Sequence, residues 1–462
     1  GYDDHGVHGE TGLGRPPLVA GQELVAEPVP HPGQDGPVEL GLGLEVPVHD
    51  QTADAGLGGD VIHGRGRETR AGERRGRGPA ELGLTLGTPE EGAGLRLYTH
   101  EYTLGRTAEG GNHVQLTYDE AELLASHRYE EPLIAGGVLC HGGFDADGAY
   151  VSPRTLHRTP AIEAWQANHR AAFATPLMDV PLETWPDHYP NVAQARFLIE
   201  SGLPEPIINS LTRIGTVEGF GAMLRLSPVP DARRTFVEDT EGTALAHLGR
   251  GLFEAHARDE AGFDPDDGEA EGGHKQMWFA ARDVAFGHPP AEDETERMLQ
   301  AMGIGQMAKA PPQRLWPDDV SVDLEMLVER MTRLLLIEIS AFHTFAWAEE
   351  LLDDPDLVAG DGEAARLVGY IRADETPHVE YLKTVLSEIR DRTVVGERRQ
   401  HAGADLVNRT WERALAQSLG ERRQANLEAF RAEVAHAAEG RADRVDLLAR
   451  FDELATEEVA AA

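Results

Sequence analysis

The feature that most constrains this chain is the helical periodicity of its apolar residues from residue 231 onward, cut by breakers into segments of matched length. One helix is expected over Thr240–Ala261, ending near Gly262 and the loop Phe263-Asp264-Pro265-Asp266-Asp267. A second is expected from about Gly268 to Phe286. Leu324–Leu352 reads as a long helix broken by Asp353-Asp354-Pro355, and Glu363–Arg392 as a fourth, entered from Gly360-Asp361-Gly362. Two further amphipathic helices, at about 404–438 and 441–458, are separated by Gly440. Four principal helices in two hairpins predict a bundle over 231–395, with C-terminal helices over 396–462.

The preceding 230 residues read differently. Residues 1–97 hold 22 of the 51 glycines and contain no Ser, Lys, Asn, Phe, Trp, Cys or Met. So little apolar surface cannot offset the entropy of ordering the chain, and the segment is expected to be a low-complexity, largely disordered tail. Its narrow alphabet also fits a stretch that is not a native reading frame. Within it His63–Gly78 carries six arginines, the one segment with the charge to touch nucleic acid. Residues 98–230 read as a mixed α/β module packing on the bundle. A hairpin is expected there, Val138-Leu139-Cys140 pairing with Ala149-Tyr150-Val151 around Asp145-Ala146-Asp147-Gly148. Helices follow at about 160–172, 190–202 and 205–224.

Composition narrows the function. The chain has 42 Lys+Arg against 80 Asp+Glu, a net charge of −38, so a phosphate backbone would be repelled and no nucleic-acid partner is expected. A single cysteine, Cys140, excludes an internal disulfide framework and a cysteine-built zinc or iron–sulfur site. No run of about 18 apolar residues would span a membrane, and the amino end lacks the basic stretch and apolar core of a secretory signal. A cytoplasmic protein is the expectation.

Chemistry enters through Glu-x-x-His. Residues three apart on a helix share a face, so a carboxylate and an imidazole can address one metal. About two matches are expected by chance in a chain with 20 histidines, and three occur: Glu271/His274, Glu375/His378 and Glu433/His436. Level within the hairpins separates them. Glu254 lies just before the end of the first helix and Glu271/His274 just after the start of the second. Glu338 precedes its break by about as many residues as Glu375 follows the next restart. Glu433/His436 has no such partner. Glu338 is also embedded in Leu334-Leu335-Leu336-Ile337 and Ile339, where an ionised carboxylate is costly unless a metal or a cation compensates it.

One Glu and one Glu-x-x-His from each hairpin make the protein shell of a bridged dinuclear site. In these residues the sequence resembles the ferritin-like di-iron carboxylate superfamily, over about 240–392. The resemblance implies a mainly α ferritin-like four-helix bundle, flanked by the irregular α/β module and the C-terminal helices. It implies two iron ions, or a Mn/Fe pair, held by Glu254, Glu271 and His274 in one half and Glu338, Glu375 and His378 in the other. Because only 17 residues separate 254 from 271, Glu218, Glu241 and Asp259 remain open as the first ligand. Asp283, His343 and Asp374, with Arg282, are candidates for orienting the imidazoles. His247, seven residues before Glu254 on the same face, is a further candidate; His256 and His343 read as core or surface histidines, and Trp278, Phe279, Phe342, Phe345 and Trp347 as core.

The activity implied is O2-dependent oxidation or oxygenation of a small organic molecule, with an electron donor the sequence does not identify and a homo-oligomer compatible with the extra layers. Iron oxidation and sequestration is a second expectation. A non-catalytic helical interaction protein with accidental Glu-x-x-His matches is the third.

Overall fold

A computed structural model describes residues 114–127, 134–135, 138–140, 142–262, 272–290 and 314–457. The tail 1–97 with its Arg/Gly segment, and Glu271, lie outside the described residues.

The described chain is mainly helical. It opens with α1 (Glu120–Leu124), whose N-terminus is closed by an Asp119/Glu122 capping box. Two small antiparallel pairs follow, β1 (Ile134–Ala135) with β2 (Val138–Leu139), and β3 (Gly143–Phe144) with β4 (Tyr150–Val151). The expected turn at Asp145–Gly148 is present, but the strand returning to Tyr150–Val151 is Gly143–Phe144 rather than 138–140. Then come α2 (Thr155–Phe173), α3 (Val192–Glu200) and α4 (Glu205–Glu218), the last running into a 3-10 segment, Gly219–Leu226. The segment taken as mixed α/β is thus helical with short hairpins.

After the short α5 (Ala232–Thr235), the helix expected over 240–261 is divided into α6 (Ala244–His247) and α7 (Leu252–Ala261). The break falls at Gly251, whose φ of 133° is open only to glycine. The next helix, α8, runs only over His274–Phe286. Beyond it lie α9 (Val322–Leu352) and α10 (Glu363–Arg390), close to the bounds expected. Pro377 sits inside α10, which continues through it rather than restarting there. A small pair, β5 (Thr393–Val395) with β6 (Gln400–Ala402), leads to α11 (Gly403–Leu419), α12 (Glu421–Ala437) and α13 (Arg444–Glu457). The single helix expected over 404–438 is interrupted at Gly420.

The long hairpin α9–α10 is the spine: α8 and α2 pack along α10, α4 along α8, and α7 on the 3-10 segment. Two apolar cores form on it. One takes Leu324–Ile339 of α9 and Val379–Ile389 of α10, and the other takes Phe345–Leu352 and Ala364–Ile371. Between them, at one level of both helices, the buried residues turn polar: Glu338, Asp374, Glu375 and His378. No described helix is long and apolar enough to cross a membrane.

Candidate metal centre

Five helices bring seven ionisable side chains into that polar layer. Glu218 ends α4, His256 and Glu260 lie one turn apart on α7, and His274 opens α8. Glu338 comes from α9, and Glu375 and His378 from α10. They fall into two groups, His256/Glu260/Glu338/His378 and Glu218/Glu260/His274/Glu375, each with one ligand atom per residue within 4.8 Å of the others.

Glu260 and Glu375 join the groups. Glu260 Oε1 lies 3.2 Å from His256 Nε2 and 3.4 Å from His378 Nδ1, while its Oε2 lies 3.3 Å from His274 Nδ1. Glu375 Oε2 lies 2.7 Å from His378 Nδ1, and its Oε1 3.0 Å from His274 Nδ1. Each carboxylate therefore turns one oxygen to each group. Glu338 Oε1, 3.3 Å from His256 Nε2, belongs to one side alone, and Glu218 Oε2, 3.7 Å from His274 Nδ1, to the other.

The remaining imidazole nitrogens are all engaged. With Nε2 of His256 facing the carboxylates, its Nδ1–H donates to the Tyr381 hydroxyl, 2.9 Å away. His274 Nε2–H donates to Asp374 Oδ2 at 3.4 Å, which also accepts from Tyr150 Oη at 3.2 Å. His378 Nε2–H donates to Asp259 Oδ2 at 3.0 Å, and Asp259 is itself clamped between Arg154 and Arg158. An oriented imidazole whose far nitrogen is fixed presents one lone pair in one direction, as a metal ligand requires.

The residues fit a pair of divalent cations. His256 Nε2, Glu260 Oε2, His274 Nδ1 and Glu375 Oε1 are buried without a hydrogen-bond partner, the first belonging to one group and the other three to the other. Donors bound at about 2.1 Å and at right angles to one another stand about 3 Å apart, close to the separations observed here. Two divalent ions would neutralise the four glutamates, which are otherwise a costly buried charge. Burial, with Glu260 beside it, pushes Glu218 well above the usual carboxylate range, and burial with Glu375 and Glu260 does the same to Glu338. Burial also opposes the charges on Glu260 and Glu375, but the imidazoles outweigh it, holding Glu260 well below its ordinary value and Glu375 at about 2. Conversely, the carboxylates hold His274 and His378 well above the usual imidazole range against burial, and burial with His378 lowers His256 to about 4.

Of the residues singled out by sequence, His274, Glu338, Glu375 and His378 meet here. Glu254 does not: it lies 200° around α7 from His256, is partly exposed, and pairs with Arg258 at 2.8 Å. In its place Glu218, one of the open alternatives, comes to the cluster with His256 and Glu260. The sequence marks His256 only as a core or surface histidine and does not single out Glu260, although His256-x-x-x-Glu260 is a same-face pair on a helix. Glu241 is exposed, 3.9 Å from Arg233. Asp259 stands behind His378.

The helical argument for Glu271-x-x-His274 does not hold, because α8 starts at His274 with Gly273 as its N-cap. Gly273 has a steric reason to be there: a Cβ at this position would lie 2.1 Å from Gly262 N and 2.3 Å from Ala261 C. That contact seats His274 beside Glu260.

Asp374 supports His274 as expected. Asp283 is half exposed and pairs with Arg282 at 2.7 Å, and Arg282 donates to Thr212 Oγ1 at 2.9 Å. His343 is tied to the Leu182 carbonyl at 3.0 Å. His247 is a satisfied core histidine stacked on Trp165. Glu433 binds Arg213 and Asn209, and His436 is exposed.

A cleft opens onto the centre from the side of the 3-10 segment. Glu218, His256, Glu260 and Glu338 form its floor, and its walls are largely apolar, among them Phe220, Leu224, Leu334, Ile337 and Ala341. Its interior measures about 50 Å3, below the usual range of small-molecule sites. No protein-family model, no curated protein and no solved structure matches this chain.

Proposed function

We propose that this chain is an O2-dependent dinuclear iron oxidase or oxygenase acting on a small organic substrate. One observation carries the reading: Glu260 and Glu375 each divide their two oxygens between two sets of His/Glu side chains, and Glu260 lies at the floor of an apolar cleft. The donor set of four carboxylates and three imidazoles suits iron or manganese, and a Mn/Fe pair would be held by the same atoms. Ferrous ions at the two positions would supply the electrons that reduce O2.

The protein's own part is positional. Glu218 and Glu338 face the cleft, so a substrate entering it meets the centre from their side, while His274, Glu375 and His378 anchor the opposite side. The apolar walls exclude water. Tyr381, Asp374 and Asp259 fix the imidazoles. The ferritin-like resemblance is supported by the α9–α10 hairpin, where Glu338 faces Glu375-x-x-His378 as in that superfamily. The other half, with His256-x-x-x-Glu260 and Glu218, departs from its pattern.

Metal analysis of protein purified without chelators should give about two iron or manganese ions per chain. Excess ferrous iron in air should be oxidised once, two ions per chain, with little further uptake. Loading of tens of irons per chain would favour sequestration, and a metal-free chain would favour the interaction-protein reading.

A further inference from the structure

The carboxylate common to both groups lies against a residue with no side chain. Gly221, on the 3-10 segment Gly219–Leu226, runs along the stem of Glu260: a Cβ there would stand 2.6 Å from Glu260 Cβ, 2.9 Å from Cδ and closer still to Cγ. Those separations are well inside van der Waals contact, so either the segment or the glutamate would have to move. Glu260 has little room to do so. It is 2% exposed, and its oxygens already stand 3.2 Å from His256, 3.4 Å from His378 and 3.3 Å from His274. Gly221 has no positive φ that would call for glycine, so the space alone accounts for the residue. It also follows Glu218 by three residues, and residues three apart share a face of a helical turn. That face of the segment therefore offers the His274 group a carboxylate, from Glu218, and leaves a gap for the carboxylate that joins the two groups.

We propose that Gly221 is a positioning residue for the dinuclear centre, its bare backbone setting Glu260 where one oxygen serves each ion. The inference rests on the two-ion reading above and adds the element that places the bridge: the 3-10 segment, and not α7 alone, decides where Glu260 sits. A side chain at 221 would push the Glu260 stem away from the segment and turn its oxygens from at least one group. The two ions would then share one carboxylate fewer.

The test loads the full chain with manganese(II) and follows its electron paramagnetic resonance with temperature, metal content being measured on the same samples. The unaltered protein is expected to hold two exchange-coupled ions. Gly221→Ala should keep its circular dichroism, bind manganese about tenfold or more weakly in chelator competition, and show weaker coupling once loaded. Unaltered affinity and coupling in this variant would overturn the proposal alone. A chain that binds no manganese would refute the two-ion reading and the inference with it.

A second comparison separates positioning of Glu260 from a general role in folding. Glu260→Gly takes away the three carbons that a side chain at 221 would meet. In metal-free protein, urea unfolding should show Gly221→Ala destabilising the unaltered chain but costing nothing further in the Glu260→Gly chain. A Gly221→Ala chain that fails to fold, yet is restored by Glu260→Gly, would support the same contact. An equal loss in both backgrounds would place the clash elsewhere and overturn the assignment.

Discussion

The imidazoles of His256 and His378 are stacked face to face, their centroids 3.7 Å apart and their planes 7° from parallel. They come from α7 and α10, and their inward nitrogens converge on a single oxygen, Glu260 Oε1, at 3.2 and 3.4 Å. Two imidazolium ions could not share this geometry without strong repulsion. Burial and the neighbouring His378 lower His256 to about 4, so it is a neutral donor at physiological pH. The stack thus sets Nε2 of His256 beside the shared carboxylate.

The first prediction concerns which residues hold metal. His256→Ala, His274→Ala and His378→Ala should each cut bound metal from about two ions per chain to one or fewer. Glu254→Ala, which removes only the pair with Arg258, and His436→Ala, at an exposed position, should keep both ions. Elemental analysis of the five proteins decides the matter, and equal content in all of them would dissolve the assignment.

How much of this was legible in the sequence depends on helix continuity. α9 and α10 are uninterrupted, so counting residues from Asp353–Pro355 outward placed Glu338 level with Glu375 and His378. On the other side, Gly251 breaks the helix and resets its phase. A continuous-helix count from 240 therefore had no means of choosing between the face of Glu254 and that of His256. Glu218 could be named only as one of three alternatives for a different reason: its helix belongs to the segment read as a separate module, and only its packing along α8 brings it to His274. Gly272 and Gly273 stand immediately before His274. They mark the point where the helix begins and its backbone touches the end of α7.

The second prediction addresses the hydroxyl behind His256. Tyr381 is fully buried, and its Oη stands 2.9 Å from His256 Nδ1. Tyr381→Phe keeps the ring, and so the packing, but frees the imidazole to rotate or change tautomer. Partners of this kind are typically worth about 10–100-fold in metal affinity. Chelator competition should show a loss of at least tenfold in the weaker-held ion, with melting of the metal-free protein nearly unchanged. Unaltered affinity would mean that His256 is oriented by its stack alone.

A third prediction follows from Asp259, which joins Arg154 and Arg158 to His378. The two guanidinium groups and His378 hold its carboxyl well below the usual range, against the cost of burial. Asp259→Ala would leave two buried cations without their counter-charge, a change that typically costs about 3–5 kcal/mol. Urea unfolding of metal-free protein should show a loss of that order. A loss below about 1 kcal/mol would show that water or another carboxylate takes over.

The fourth prediction is a pH dependence away from the metals. Glu388, on α10 and 1% exposed, accepts the backbone N–H groups of Ala244 at 3.1 Å and Leu245 at 2.7 Å, capping α6. Burial pushes its carboxyl up to about 7, although those two donors and Arg392 pull the other way. In the unfolded chain a glutamate titrates near 4.3. Between the two values the folded protein keeps the proton that the unfolded chain has lost, so stability is highest at the acid end and declines as pH rises toward 7. The share falling between pH 5 and pH 8 is about 2–3 kcal/mol. Glu388→Gln cannot ionise, so its stability relative to the unaltered protein should improve by that amount across this interval. Urea midpoints measured at both pH values, in the same metal state, give the comparison. A parallel pH dependence in the two proteins would show that Glu388 is already ionised in the fold, its charge carried by the α6 N-terminus and Arg392.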